Sequence, residues 1–535
     1  MEKSIQRIVT FGHGSTDAVP ARYFGTKAAG LATMASLGIP VPPGFSLSAE
    51  ICAEYHRNGK ILPDDTLQFL REGIVFLEDA TGRKFGDERD PLILSVRSGA
   101  PVSMPGIMDT ILNVGLNRKT VRGLIAMTGN PRFSWDSYRR FLENFGVIVF
   151  GHDPSAYRDR LAAIMAEEHL EDEVELDSSS LRMLAESYEK NFSGFSRRSF
   201  PENTDEQLEL ATIAVLDSWV SPRAELFRNI HALEDVAGTA VTVQVMVFGN
   251  TGARSGAGVG FTRNPWTGEK EFLVDFKFGA QGEDVVSGEQ SAATQTELEA
   301  ALPDAYRELK EVGDKLEAYY RDMQDIEFTI QDSSLYLLQS RSGKRAPFAA
   351  LRIAVDMWRE GLIPSQRALQ LLEGVDLDKI VVQKIATDES PVTHCISAST
   401  GVAWGRIAFS SKYAEKLAAG GQVILVKDTI TPDDLAGIDA AAGILTARGA
   451  RTSHAAVVAR QMGKVCIVNC EDLEIDPYNH RCRVRDRVFS EGDTITLDGD
   501  HGRIYEGKVD IDFERPAELL AIADRWKRDL ANTVS

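Results

Sequence analysis

The chain has 535 residues, of which 43% are hydrophobic and 26% charged, and it carries a formal net charge of −20 at pH 7. This length exceeds a single hydrophobic core and predicts roughly three or four folded domains. The acidic balance argues against nucleic acid or an anionic membrane surface as a partner. Because the sequence has neither a signal-peptide pattern nor a run of about 18 apolar residues, we expect a cytoplasmic protein that is not exported and spans no membrane.

Helical stretches mixed with strand-and-turn blocks occupy the chain from about residue 20 to 345 and predict a large α+β region. The segment 239–248 is rich in β-branched residues and ends at a Gly-Asn pair, which is typical of a strand. Helical periodicity with an acidic surface over about 155–235 predicts an inserted helical subdomain. The Gly-rich segment 255–260 lacks the dinucleotide-binding fingerprint and predicts a strand with close backbone approach.

Three further segments follow this region. Amphipathic spacing over about 346–390, with Pro364 placed to start a second helix, predicts a packed helical linker. Short apolar strands, Gly-rich turns and one helix of small residues over about 391–510 predict a compact α/β domain. The tail over 511–535 has the pattern of one amphipathic helix. The predicted fold class is therefore multidomain α+β.

The five cysteines are sparse for this length and include no CxxC pair. Disulfide bonds are therefore not expected. Cys466 and Cys470 lie in the apolar, strand-like run 465–470, which favours buried structural thiols over metal ligands.

The strongest functional signal is the segment 443–460, which reads GILTARGARTSHAAVVAR. An apolar strand runs into a glycine turn, Thr452 and Ser453 are good N-cap residues, and His454 falls in the first turn of a helix of small side chains. Free backbone N–H groups and the helix dipole stabilise a phosphate carried there. Imidazole is a capable nucleophile at pH 7. Position alone also fits a surface or capping histidine.

A predicted β-hairpin with the turn 332–334 carries a second group of polar residues. A strand period of two projects Asp325 and Glu327 to one face, and likewise Gln339 and Arg341. Carboxylates can hold Mg²⁺ against nucleotide phosphates, and an arginine can stabilise a transferring phosphoryl group. Alternating polar residues on a solvated sheet face would give the same pattern.

Two basic residues lie in motifs of the N-terminal part: Lys27 in FGTKAAGLA, and Arg97 in LSVRSGA before the loop PVSMPGIMDT. Alone, each fits a surface charge. Together these motifs resemble the nucleotide-binding domain of the pyruvate phosphate dikinase family, an ATP-grasp relative. The histidine motif resembles the phosphohistidine domain shared by pyruvate phosphate dikinase, phosphoenolpyruvate synthase and enzyme I of the sugar phosphotransferase system. Further blocks occur in the family's order: DSYRRF, SPRA, FTRNP and AQGEDVV.

The resemblance implies a domain for each predicted segment. Residues 1–345 would form an ATP-grasp-like nucleotide-binding domain with the helical subdomain inserted, and 346–390 the helical linker. Residues 391–510 would form a swivelling phosphohistidine domain that turns on hinges near 346–390 and 505–515, and 511–535 the C-terminal helix.

The resemblance also implies functional residues. His454 would be the phosphorylated residue, with Arg341 and Gln339 at the transferring phosphoryl group. Asp325 and Glu327 would hold Mg²⁺. The residues implied to contact the nucleotide are Lys27, Arg97, Arg139, Asp275, Glu283, Asp325 and Glu327. Thr452 resembles a position that regulatory kinases modify, although helix capping is the role we favour.

The implied reaction is the first half of the conversion of ATP, phosphate and pyruvate to AMP, pyrophosphate and phosphoenolpyruvate. A complete member continues into a C-terminal barrel that binds phosphoenolpyruvate or pyruvate, and this chain ends where that barrel would begin. Two alternatives stay open. One is a phosphotransferase with another small acceptor or with a barrel partner in trans, and the other is a non-catalytic ATP-binding regulator. Homodimers are usual in the family.

Some positions depart from the family pattern. Asp275 stands where Glu is usual, Ala257 where Thr is usual, and Ala450-Arg451 where a Gly-Met pair is usual. We expect these changes to affect fine tuning more than chemistry.

Overall fold

The computed structural model describes residues 6–14, 19–101, 108–170, 173–196, 198–230, 236, 238–282, 284, 293–431, 434–449, 451 and 454–534. The chain forms two compact units. The first comprises Met1–Gly252 with Tyr336–Gln339, and the second Ala253–Leu335 with Ser340–Ser535. The segment from Ala253 to Leu335 lies in the second unit with the linker and the 391–510 region. The predicted domain over 1–345 stays a prediction. Both units mix helices and sheets.

The strands of the first unit are β1 Ile8–Phe11, β2 Gly44–Leu47, β3 Lys84–Phe85, β4 Pro91–Leu92, β5 Leu94–Gly99, β6 Thr110–Val114 and β7 Ala240–Val245. Its helices are Ala21–Ser36, Ala49–Arg57, Thr66–Thr81, Thr120–Thr128, Pro131–Phe150, Pro154–Glu168, Ser178–Ser196, Thr204–Ser218 and Pro222–Ile230, with a 3₁₀ turn at Glu173–Glu175. The main sheet has the order β1-β2-β7-β5-β6 and is antiparallel. β7, which carries the β-branched run, is buried along its whole length because the sheet is covered on both faces.

The helices of the first unit begin at capping residues that the sequence supplies. Asn130 accepts from the N–H of Phe133 and precedes a proline at the first helical position, and Asp153 accepts from Ser155 in the same way. An aromatic cluster then joins the helices Pro131–Phe150 and Ser178–Ser196 around Phe200, whose ring centroid lies 5.5 Å from that of Phe192 and 5.7 Å from that of Phe141. These contacts make the helical region part of the first unit's hydrophobic core.

The strands of the second unit begin with β8 Gly256–Phe261, β9 Leu273–Phe278, β10 Ala293–Thr294, β11 Gln324–Gln331, β12 Ser334–Ser342 and β13 Val382–Ile385. They continue with β14 Thr393–His394, β15 Ile396–Ser399, β16 Val402–Ala408, β17 Val423–Lys427, β18 Gly443–Thr446 and β19 Val465–Val468. The last are β20 Leu473–Asp476, β21 Arg481–Val484, β22 Arg487–Ser490, β23 Thr494–Asp498, β24 Arg503–Glu506 and β25 Ile511–Glu514. The helices are Gln295–Ala301, Pro303–Tyr320, Pro347–Arg359, Ser365–Gln370, Ser411–Ala418, Leu435–Ala440, His454–Gln461 and Ala517–Val534, with a 3₁₀ turn at Leu377–Lys379.

The first sheet of the second unit has the order β10-β9-β8-β11-β12. β11 and β12 form the predicted hairpin, and its turn residues Asp332 and Ser333 have φ of +49° and +69°, as a type I′ turn requires. One face of the sheet is apolar, since the rings of Phe276 and Phe328 stack 5.9 Å apart. A Cβ at Gly258 would lie 2.5 Å from the Phe328 ring, which confirms the close approach predicted for the Gly-rich strand.

The linker and the tail pack together. Pro347–Arg359 and Ala517–Val534 share one hydrophobic core, in which the rings of Trp358 and Trp526 meet edge to face at 5.3 Å. Arg263 is fully buried and connects this core to the sheet. Its guanidinium donates to Glu317 and, at 3.0 and 2.8 Å, to both carboxylate oxygens of Glu360.

The sheet of the carrier region, as we call residues 391–510, has the order β14-β24-β23-β16-β17-β18-β19-β15. β16, β17, β18 and β19 run parallel, so each connection between them crosses over through a helix. The crossover helices supply apolar residues, including Ala414, Ile438 and Ala456, to one core face. Four cysteines are buried, Cys395 is partly exposed, and all five are free thiols, as predicted.

A strand pair joins the two connections to the carrier region. β13, in the predicted linker, pairs antiparallel with β25, so that Val382 faces Glu514 and Ile385 faces Ile511. The linker is therefore helical only to about its middle, and its last part belongs to a two-stranded β-ribbon. In the part of the chain that the structure describes, no helix combines the length and apolarity needed to cross a bilayer.

Candidate functional site

Three carboxylates lie on one face of the β8-β9-β11 sheet. Asp275 on β9 and Glu327 on β11 both pair with Val259, which lies between them on β8. Directly opposed residues project to the same face, and so do residues two apart on one strand. Asp325 therefore shares this side with Asp275 and Glu327, and we call it the acidic face.

The buried Asp325 carboxylate forms an ion pair with Arg341, whose side chain is partly exposed. Asp325 is 7% exposed, and its Oδ2 accepts a hydrogen bond of 2.8 Å from Arg341 Nε. Burial raises the pKa of Asp325 above its usual value, Arg341 opposes this rise, and Glu327 adds to it. Among the described residues, Oδ1 of the same carboxylate is buried without a hydrogen-bond partner. An unpartnered oxygen beside a second carboxylate fits a cation ligand better than the solvated sheet face that the sequence left open.

Arg341 and Gln339 lie on β12, two positions apart, and so point to the same side of that strand. Burial alone would lower the pKa of Arg341, but Asp325 and Glu327 outweigh it and raise the pKa. The guanidinium thus stays fully charged at the sheet surface. Gln339 falls in the part of β12 assigned to the first unit.

The helix that carries the histidine begins at His454, as the sequence predicted, and follows β18 and the turn containing Gly449. Gly449 has φ of +132°, a conformation that glycine adopts readily. Ala456 and Ala459 bury the small face of the helix in the carrier core. Thr452 lies outside the described residues.

Arg451 connects this turn to the acidic face. Its Nη1 lies 3.0 Å from Asp275 Oδ1, and its backbone N–H donates to Asp275 Oδ2 at 3.0 Å. Arg460, one helix turn and a half beyond His454, donates to the Arg451 carbonyl at 2.9 Å. Sequence reasoning placed no functional role on Arg451 or Arg460, although both lie in the quoted histidine motif.

Lys27 and Arg97 come together in the first unit. The helix Ala21–Ser36 is interrupted at Gly25, whose φ of 79° and ψ of 159° are outside the helical region. The next residue, Thr26, donates its N–H to the Ala100 carbonyl at 3.2 Å, just past the strand that carries Arg97. This backbone bond brings the Lys27 segment to the end of β5.

Arg139 is 4% exposed and lies in a carboxylate network. Its Nη2 donates to Asp136 at 2.6 Å and to Glu173 at 3.2 Å, and Nη1 lies 3.7 Å from Glu143. These ion pairs give Arg139 a structural role in the helical region, and its predicted contact with a nucleotide stays a prediction. Glu283 lies outside the described residues.

The described residues contain no group of three or more His, Cys, Asp and Glu side chains arranged to hold a metal by themselves. Asp325 and Glu327 could therefore bind a cation only together with ligands from elsewhere. Mg²⁺ at nucleotide sites commonly has this arrangement, with one or two carboxylates plus substrate phosphates.

Two family models match the chain. The pyruvate phosphate dikinase AMP/ATP-binding domain matches residues 61–299 and 290–361, and the mobile domain of PEP-utilising enzymes matches 420–502. The carrier helix and its turn fall inside the second match.

Curated relatives agree with these matches. The chain is 44% identical over 510 residues to the chloroplastic pyruvate, phosphate dikinase of Flaveria pringlei, covering 94% of this chain and 53% of the relative. It is 42% identical over 516 residues to the pyruvate, phosphate dikinase of Clostridium symbiosum, covering 94% of this chain and 59% of the relative. The chain thus spans a little over half the length of the curated relatives that it matches.

Proposed function

Because this chain belongs to the pyruvate phosphate dikinase family, we propose that it transfers a phosphoryl group from MgATP to His454, with inorganic phosphate as co-substrate. The observation that carries this proposal is the contact between Asp275 and Arg451. Arg451 lies three residues before His454. It brings the carrier turn to the sheet face on which Asp325 and Glu327 lie. An ATP-grasp-like arrangement of the nucleotide-binding domain is part of the same proposal.

The acidic face supplies the proposed metal ligands. Asp325 and Glu327 would hold Mg²⁺, and the buried, unpartnered Oδ1 of Asp325 supports this role within the described residues. The ion would neutralise charge on the nucleotide phosphates. Arg341, which remains charged beside these carboxylates, would contact the transferring phosphoryl group together with Gln339.

Lys27 and Arg97 would contact the nucleotide in the first unit. Arg97 lies on β5, and the helix segment that carries Lys27 contacts Ala100 just past the end of that strand, so two cationic residues belong to adjoining segments and would neutralise a polyphosphate there. Cations near phosphate oxygens stabilise the charge that spreads over them during transfer.

The proposed transfer to His454 takes place in two steps. A ring nitrogen of His454 forms a bond to the β-phosphorus of ATP, and the bond from that phosphorus to the α-phosphate oxygen breaks to release AMP. An oxygen of inorganic phosphate then forms a bond to the γ-phosphorus, and the bond from the γ-phosphorus to the oxygen that bridges it to the β-phosphorus breaks, which releases pyrophosphate. The β-phosphoryl group stays on the histidine, where the first N–H groups of the helix and its dipole stabilise it.

For the second half of the reaction, we propose pyruvate as the acceptor, which yields phosphoenolpyruvate. The relatives are named for pyruvate and are almost twice as long as the aligned part of this chain. Another small acceptor, or a barrel partner in trans, is the second candidate. Assembly as a homodimer, a cytoplasmic location and regulation at Thr452 are further proposals.

The test uses ATP labelled at the β or the γ phosphorus, with and without inorganic phosphate. We expect acid-labile label on the chain from the β position, and none on His454→Ala. His480→Ala is the matched control, since that side chain is 69% exposed and pairs with Glu491 away from the carrier helix. Label that persists in His454→Ala, or that comes only from the γ position in the presence of phosphate, contradicts the proposal.

A further inference from the structure

A single carboxylate anchors the turn that precedes His454. Asp275 and Arg451 are 176 residues apart, yet Arg451 satisfies both oxygens of Asp275, one through Nη1 and one through its backbone N–H, each at 3.0 Å. The Asp275 side chain is 5% exposed and that of Arg451 17%. Two-point recognition by one residue fixes the orientation of the turn as well as its position.

The turn is connected rigidly to the helix that follows. Arg451 Nε donates to the Ser397 carbonyl at 3.3 Å, and Arg460 Nη1 donates to the Arg451 carbonyl at 2.9 Å. Arg460 lies on the helix that begins at His454. Both arginines also lie with their guanidinium carbons 6.0 Å from the centroid of the Trp266 ring. A change in the position of Arg451 therefore affects the carrier helix through Arg460.

The anchor lies beside the proposed metal ligands. Asp275 and Glu327 belong to the same row across β9, β8 and β11. Strands are about 4.8 Å apart, so their backbones are separated by about 10 Å across Val259. The carrier turn thus contacts the sheet two strands away from the carboxylates that would hold MgATP.

We infer that Arg451 is a positioning residue that docks the carrier turn on Asp275 for phosphoryl transfer, and this inference rests on the proposed function. The resemblance implies a glutamate at position 275 and a methionine at position 451, where this chain has aspartate and arginine. The pair is therefore a feature of this chain and does not follow from the resemblance. Both oxygens of Asp275 accept from Arg451, so the carboxylate serves docking, and its predicted contact with the nucleotide stays a prediction.

Removing the arginine side chain leaves Asp275 buried with a backbone donor alone, which disfavours the docked arrangement. Truncation of one partner in a buried, hydrogen-bonded charge pair typically costs about 30-fold or more in an equilibrium. We expect Arg451→Gln to slow the single-turnover formation of phosphohistidine by about this factor while the affinity for MgATP is unchanged. Arg451→Lys keeps the charge and should recover part of the rate.

The matched control is Arg448→Gln. Arg448 lies in the same connection and pairs with Asp428, but both side chains are more than half exposed, so the change should alter the rate less than about threefold. Asp275→Asn should reproduce the effect of Arg451→Gln. The double variant should be no slower than either single one, because each removes the same contact.

Hydrogen exchange of the segment 273–278 measures the docking independently of catalysis. Arg451→Gln should increase exchange there relative to the unmodified chain, and Arg448→Gln should not. Equal exchange in all three chains, additive losses of rate in the double variant, or loss of MgATP affinity in parallel with the rate would overturn the inference. If the unmodified chain forms no labelled phosphohistidine, the proposed function is contradicted instead. Hydrogen exchange of the segment 273–278 then still tests whether Arg451 docks on Asp275.

Discussion

Gly25→Ala should selectively disturb the segment that carries Lys27. Gly25 has φ of 79° and ψ of 159°, a region that is almost exclusive to glycine. A Cβ there would lie 2.2 Å from the Gly99 carbonyl oxygen and 2.5 Å from its carbon. Both obstacles are backbone atoms of β5, so no side-chain rotation can relieve them.

The expected loss of stability has two sources, which are the backbone conformation at Gly25 and the overlap of the new Cβ with Gly99. A non-glycine residue in this backbone region costs about 1–3 kcal/mol, and forced displacement of packed neighbours adds about 1–3 kcal/mol. We therefore expect Gly25→Ala to lower the unfolding free energy of the first unit by about 3 kcal/mol or more. MgATP affinity should fall as well, because relief of the clash separates Thr26 from Ala100 and moves Lys27 away from the end of β5.

Gly38→Ala is the matched control. Gly38 lies just past the end of the same helix and has φ of +70°, but a Cβ there would meet nothing within 4 Å. It should cost about 1 kcal/mol, from backbone conformation alone, and leave MgATP affinity unchanged. Urea unfolding measures the stability of both variants, and the slope of the unfolding free energy with urea concentration should not change. Titration with nucleotide measures the affinity for MgATP. Equal losses of stability in the two variants, or unaltered affinity in Gly25→Ala, would refute the reasoning.

Two further predictions concern buried charges. Arg263→Met should lower the unfolding free energy of the second unit by about 3–5 kcal/mol, because it leaves Glu317 buried without its cation, whereas Arg307→Met, in an exposed pair, should cost less than about 1 kcal/mol. Urea midpoints of both variants check this. Burial opposes ionisation of Asp136, but Arg139 and its neighbours outweigh it and hold the pKa of Asp136 below its usual value. The stability that the ionised Asp136 adds to the folded chain should therefore be present above pH of about 4 and be lost as the pH falls further. The difference between the urea midpoints at pH 7 and at pH 3 should be smaller in Asp136→Asn than in the unmodified chain.

Local patterns in the sequence predicted the elements that carry the site. The hairpin followed from strand alternation on both sides of Asp-Ser-Ser, because turn chemistry and strand period are local properties. The start of the carrier helix at His454 followed from its cap residues and small side chains. The same alternation placed Asp325 and Glu327 on one face, but their burial depends on what covers the sheet and could not be derived locally.

Contacts between distant segments escaped sequence reasoning. Arg451 stood out only as a departure from a family motif, and its partner Asp275 lies on β9, which β8 separates from the hairpin. The ribbon of Val382–Ile385 with Ile511–Glu514 was likewise missed, since a four-residue strand within a helical linker gives little periodic signal. Long-range pairing is fixed by the tertiary structure, and the separate segments do not reveal it.

The central claim is that His454 takes a phosphoryl group from ATP through the sites of this one chain. Rapid-quench analysis of AMP and pyrophosphate, after mixing the chain with MgATP and inorganic phosphate and no acceptor, tests it most directly. We predict one burst of AMP equal to the amount of chain, an equal amount of pyrophosphate, and neither product from His454→Ala. ADP as the product, or AMP formation that continues undiminished in His454→Ala, would contradict it.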